Sequence, residues 1–122
     1  MQPRGYEPPE PEVADALAPI SIEVRPDVDA DCWVVSVVGE IDVATSPRLR
    51  AAIARVVDQA RRVSVDLTGT TFIDSSGLGV FVGALQRARE GGHEDLELRG
   101  LQEPVRRVFE ITGLTELFPV DG

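Results

Sequence analysis

The sequence predicts an α/β fold: a small single-layer, mixed, mostly parallel β-sheet with helices packed against it. Three observations carry this. Short apolar runs rich in β-branched residues alternate with segments of helical periodicity. The connections are short, so strands after an opening hairpin must be joined through the helices, which makes them parallel. Finally, 122 residues leave room for one domain and little more.

Residues 1–18 read as a disordered acidic tail. Prolines 3, 8, 9 and 11 alternate with Glu7, Glu10 and Glu12, a composition that favours a solvated, extended chain. The domain then occupies residues 19–122. "ISIEV" (20–24) alternates apolar and polar residues, as a half-buried edge strand does. "WVVSVVG" (33–39) is nearly continuous and predicts a strand covered on both faces. In "SPRLRAAIARVVDQA" (46–60), Leu49, Ile53, Val56 and Val57 share one helical face, with Ser46 as the expected N-cap and Pro47 at the first helical position.

"VSVDL" (63–67) is a further strand. "SSGLGVFVGALQRARE" (75–90) is a helix with Leu78, Phe81, Val82 and Leu85 inward, stopped by Gly91-Gly92. "LELRG" (96–100) is a strand. "EPVRRVFEIT" (103–112) is a helix with Val105, Val108, Phe109 and Ile111 inward and Gly113 past its end. "ELFPV" supplies a last short strand or closing segment. Gly79 and Gly83, four apart on one side of the second helix, allow close approach of a strand or of a partner helix, and close packing within the domain is the preferred expectation.

At 43% hydrophobic but only 5% aromatic, the chain must fill its core with aliphatic side chains. The formal charge is −9, from 21 acids against 12 bases, and every base is Arg. Such a chain is a poor nucleic-acid binder and lacks the basic cluster that anionic lipid attracts. No apolar run is long enough to span a bilayer, and the N-terminus lacks the order of a secretory signal. Cys32 is alone, so no internal disulfide forms and it is expected to be a quiet, partly buried thiol. The expected location is cytoplasmic.

One stretch concentrates polar groups where strand gives way to helix: "TFIDSSGLGVF" (71–81). Strand-to-helix loops gather at the carboxyl ends of parallel strands, where ligands and partners bind. Asp74 or Ser75 can cap the helix, which needs only one side chain. A phosphate cradle would use the exposed N–H groups, but Gly77-Leu78-Gly79 lacks a third glycine and no Lys exists for a P-loop. A nucleophile elbow wants glycine where Ile73 stands, and His93 follows the far end of the helix, roughly 20 Å away. A phospho-aspartate receiver would want a Lys. A phosphoacceptor hydroxyl, in contrast, needs only exposure and a partner's ATP site, and would gain about −1.5 to −2 charges.

Three segments in order, "GEIDVATSPRLR" (39–50), "FIDSSGLGVFVG" (72–83) and "RRVFEITGL" (106–114), resemble the STAS-domain anti-sigma factor antagonists, a family of bacterial partner-switching regulators. The resemblance spans roughly residues 20–120 and implies the STAS fold and a non-enzymatic regulator of transcription in stress responses. In that family the unmodified antagonist binds an anti-sigma factor, a serine kinase of the GHKL type, and so frees a sigma factor. Phosphorylation breaks the complex, and a PP2C-type phosphatase reverses it.

By position the resemblance makes Ser76 the phosphoacceptor, with Ser75 the alternative. It places partner contacts at Glu40, Asp42, Thr45, Asp74, Ser75, Gly77, Leu78 and Gly79, with Leu78 partly exposed as an anchor. No catalytic or metal-binding residue is expected, and no cofactor, since ATP and metal belong to the partner kinase and phosphatase. The competing reading is a STAS-type scaffold or ligand-sensing module without a phosphorylation cycle. The uncovered edge at "ISIEV" permits a weak homodimer.

Overall fold

The structure, a computed structural model, describes residues 20–27, 32–92, 96–118 and 120–121. The acidic tail and residues 93–95, His93 among them, lie outside the described residues. Along the chain the elements are β1 (Ile20–Asp27), β2 (Cys32–Ile41), α1 (Ser46–Gln59), β3 (Val63–Ile73), α2 (Ser75–Glu90), β4 (Glu97–Arg99), α3 (Glu103–Ile111), a 3-10 turn (Leu114–Glu116) and β5 (Val120–Asp121).

The sheet runs β1-β2-β3-β4-β5, in chain order. β1 and β2 form an antiparallel hairpin with Ile20 opposite Gly39 and Asp27 opposite Cys32. Each later pair is parallel. Right-handed crossovers that always step in one direction lay their helices on one face. Trp33, Val35 and Val37 of β2, Val65 and Leu67 of β3 and Leu98 of β4 point to that face and are essentially inaccessible to water. They meet Leu49, Ile53 and Val56 of α1, and Phe81 and Leu85 of α2. Phe109 of α3 closes the core, its ring centroid 5.9 Å from Phe81 and 6.2 Å, edge-on, from Phe118.

Among the described residues, no helix lies on the other face of the sheet. Ser64 donates to Glu97 at 2.6 Å, and Arg99 donates to Ser64 at 3.1 Å. Arg25 bonds Ser36 across the hairpin. Asp66 accepts from both the N–H and the hydroxyl of Thr68. Burial would raise its pKa, but those bonds and the charges of Arg25 and Arg99 outweigh it and hold the carboxyl below its ordinary value. The expectation that β2 is covered on both faces is therefore corrected in part: Val34 is buried there, but Ser36 is half-buried and Val38 is exposed.

Cys32, at the start of β2, is buried. Desolvation pushes its thiol pKa up despite an opposing bond with Ser64, which disfavours the reactive thiolate.

Three further expectations change. Ser46 is not the cap of α1: its N–H already bonds Asp42 O at 2.8 Å, so it sits inside the first turn, and Thr45 precedes the helix. Ile111 faces solvent because it lies two residues, about 200° of helical rotation, beyond the buried Phe109. β3 continues to Ile73, six residues past "VSVDL", because two irregularities in its pairing with β2 absorb the polar stretch Thr68–Thr71.

The glycines of α2 divide by environment. A Cβ on Gly77 would lie 2.6 Å from both Ile41 Cγ2 and Ile73 Cγ1, so only glycine lets the helix start this close to the strand ends. A Cβ on Gly79 or Gly83 would meet nothing within 4 Å. The expected close packing at those two is therefore corrected; they are bare backbone on an exposed face. Gly77→Ala should lower stability by about 1–3 kcal/mol through overpacking. Gly83→Ala should raise it by roughly 0.5–1 kcal/mol through helix propensity. Paired urea melts would show the two opposite shifts.

Candidate functional site

The site grows from the end of the two central strands. Ile41 and Ile73 are aligned in parallel register, and the Asp74 N–H continues the ladder to Ile41 O at 3.1 Å. The loop after β2 and the loop after β3 thus leave the sheet side by side. Asp42 and Asp74 occupy the same step beyond their strands.

Asp42 organises its own loop. Its Oδ1 accepts from the N–H groups of Ala44 and Thr45, both at 3.0 Å, and from the Thr45 hydroxyl at 3.2 Å. The same hydroxyl donates to Glu40 O at 2.8 Å and accepts from the Asp42 N–H at 2.9 Å. Thr45 is fully buried, so it braces the loop from inside, whereas Glu40 is exposed. The loop presents Asp42 at half burial with Val43 beside it, 75% exposed.

Asp74 performs the cap. Its backbone is extended, and Oδ1 accepts from the N–H groups of Ser76 at 2.9 Å and Gly77 at 3.2 Å. Its carbonyl takes the Leu78 N–H at 3.0 Å. Two orphan amides of the first turn are satisfied by one carboxylate. Neither serine hydroxyl takes part in this cap. Ser75 is exposed and Ser76 half-buried, both at the positive end of a 16-residue helix.

The structure brings Glu40, Asp42, Asp74, Ser75 and Ser76 to one end of the sheet, with Gly79 exposed a turn further along α2. Three residues of the expected partner surface are turned inward, the fully buried Thr45 among them. Gly77 is buried against Ile41 and Ile73. Leu78 is 9% exposed and belongs to the core, which corrects the expectation of a partly exposed anchor. The exposed apolar groups here are others: Val43, and Phe72 at 47% exposure, opposite Glu40 in the β2–β3 register. Their signal was in the sequence. With Ile73 inward, the period-2 alternation of a strand turns Phe72 outward.

The described residues contain no cluster of three or more His, Cys, Asp or Glu side chains able to hold a metal. Nor is any described helix long and apolar enough to cross a membrane.

Residues 19–121 match the model of the STAS domain. The chain is 40% identical over 102 residues to the anti-sigma-B factor antagonist of Listeria monocytogenes, covering 83% of this chain and 88% of that protein. It is 36% identical over 88 residues to the Bacillus subtilis protein of the same name, covering 72% and 80%. Among solved structures, an anti-sigma factor antagonist from Mycobacterium paratuberculosis superposes with a TM-score of 0.75 at 31% identity, over 84% of this chain and 85% of that one. The fold is that of a STAS domain. The chain belongs to that family, in the branch whose curated members are named anti-sigma factor antagonists.

Asp74→Ala should cost about 1 kcal/mol of stability by freeing two first-turn amides, while Asp74→Asn keeps an accepting oxygen and most of the cap. Denaturant midpoints of the two variants, with far-UV dichroism to confirm an intact fold, would measure the difference.

Proposed function

We propose that the chain is an anti-sigma factor antagonist, not an enzyme. It binds an anti-sigma factor of the GHKL serine-kinase type when unphosphorylated, so that a sigma factor is released. Phosphorylation of Ser76 by that kinase ends the binding, and a PP2C-type phosphatase restores it. ATP and metal are then the partners' cofactors, and the cycle runs in the cytoplasm. The relatives' names support the antagonist role.

The observation that carries the switch is the division of labour at Asp74-Ser75-Ser76. Capping is done by the aspartate, so a hydroxyl can be modified without unmaking the helix start. In the transfer, the serine oxygen attacks the γ-phosphorus of the partner's ATP, ADP leaves, and the hydroxyl proton passes to a base on the kinase. The helix N-terminus tolerates the new charge of about −1.5 to −2. Asp42, Asp74 and Glu40 carry like charge at the same end of the sheet, so its effect falls on the docked partner through repulsion and desolvation. The bare strip of Ser75, Gly79 and Gly83, spaced four apart along α2, lets a partner approach the helix backbone. Greater exposure of Ser75 keeps it as the alternative acceptor.

Incubation with the cognate kinase and ATP should add one phosphoryl group to the wild-type mass and none to Ser76→Ala. Loss of the modification in Ser75→Ala, with Ser76→Ala still modified, would reassign the acceptor. Ser76→Glu should weaken anti-sigma binding at least tenfold by calorimetry; unchanged affinity would sink the charge mechanism.

A further inference from the structure

The outer side of β1 is an open edge whose residues complement themselves. β1 pairs with β2 along all eight of its residues and stands at the end of the strand order. Among the described residues, no strand lies on its other side. Ile20, Ile22 and Val24 turn toward the helix-bearing face, where Ile22 and Val24 remain only half-buried beside the core. Ser21, Glu23, Arg25 and Asp27 alternate with them on the helix-free face. The Glu23 side chain is 73% exposed and that of Arg25 46%.

An open edge is a template for one more strand, and folded proteins blunt it with charge. Here the charges alternate in sign, which discourages most strands but not an antiparallel copy of the same one. We propose that β1 pairs antiparallel with β1 of a second copy of this chain, about a two-fold axis at Val24. Glu23 of each copy then faces Arg25 of the other, and Ser21 faces Asp27. On the opposite face Val24 meets Val24 and Ile22 meets Pro26, which removes these half-buried side chains further from water. A slip of two residues in one direction sets Glu23 against Glu23; in the other it sets Arg25 against Arg25. Like charges directly opposite are unfavourable, so charge selects the register.

Within one chain Arg25 already lies 3.7 Å from Glu23, and pairing extends this contact into a two-by-two cluster of alternating charges. Pro26 offers no N–H, which shortens the ladder and keeps the association weak.

The pairing joins the two five-stranded sheets into one, with all the helices on the same face. Because β1 runs antiparallel to its mate, β2 and β3 of the two copies also point in opposite directions. The two Ser76 loops then sit at opposite ends of the joined sheet, uncovered, and the dimer is bivalent toward the partner. Dimerisation and the phosphorylation switch are independent and can be refuted separately.

Sedimentation velocity of the full chain over a concentration series tests the interface. The wild type should dimerise reversibly, and added salt should weaken it. Glu23→Arg and Arg25→Glu should each raise the dissociation constant by about tenfold or more, given two opposed pairs turned repulsive. An equimolar mixture of the two variants should restore association, because every Arg then meets a Glu. Far-UV dichroism confirms that each variant is folded, and Ser76→Glu should dimerise as the wild type does. A chain monomeric at all concentrations, a dimer indifferent to Glu23→Arg, a mixture no stronger than its components, or a dimer lost in Ser76→Glu would each overturn the proposal.

Discussion

The parallel pairing of β2 with β3 at their carboxyl ends is the constraint on which the site depends. Ile41 and Ile73 finish their strands in register, and the Asp74 amide spends its hydrogen on Ile41 O. That bond ties one loop to the other before any side chain is considered. Had the two irregularities in the β2–β3 pairing been absent, Ile41 would lie opposite Thr71 and β3 would overrun the end of β2 by two residues. Because the two one-residue shifts sum to the side-chain period of a strand, the faces themselves are kept. The Asp74 amide would then have no Ile41 carbonyl beside it, and the two loops would leave the sheet out of step. A backbone register thus determines that the two loops leave the sheet side by side.

Scaffold and surface are separated with little overlap. Thr45, Gly77 and Leu78 sit inside, fixing the loops and the helix start. Asp42 and Asp74 stand between, their carboxylates engaged with backbone N–H groups yet at the boundary with solvent. Ser75, Glu40, Val43, Phe72 and Gly79 are the outer layer. A change to the outer layer leaves the inner hydrogen bonds untouched, so the surface can be chemically altered while the domain keeps its shape. Bare glycines on α2 follow the same division: they weaken the helix, but they keep its backbone accessible on the side of Ser75.

Much of this was legible in the sequence. The alternation of strands and helices, the parallel sheet and the adjacency of the two loops all follow from periodicity and connection length. So does capping by Asp74 or Ser75, which the structure resolves in favour of Asp74. What escaped depends on depth and phase. Periodicity places Leu78 on the inward stripe but does not report how closely the strand ends approach it. For Ile111, helical phase counted from Phe109 would have given the right answer, and its apolar character overrode it. Ser46 has the chemistry of a cap, yet the preceding turn, closed by Asp42 and Thr45, had already drawn it into the helix. The length of β3 was hidden by Thr-Gly-Thr-Thr, which reads as a loop and is instead an irregular strand.

Strand order that repeats chain order has a consequence for how the domain is assembled. Each new strand is laid against the one finished just before it, so no later segment has to be inserted between two that are already paired. Contacts stay comparatively local, and structure can grow outward from the β1–β2 hairpin as the chain is made. The last piece added, β5, is a peripheral two-residue strand. Shortening the chain from its C-terminus would therefore pare the sheet at one margin and spare its centre, where the strands that carry the two loops are joined.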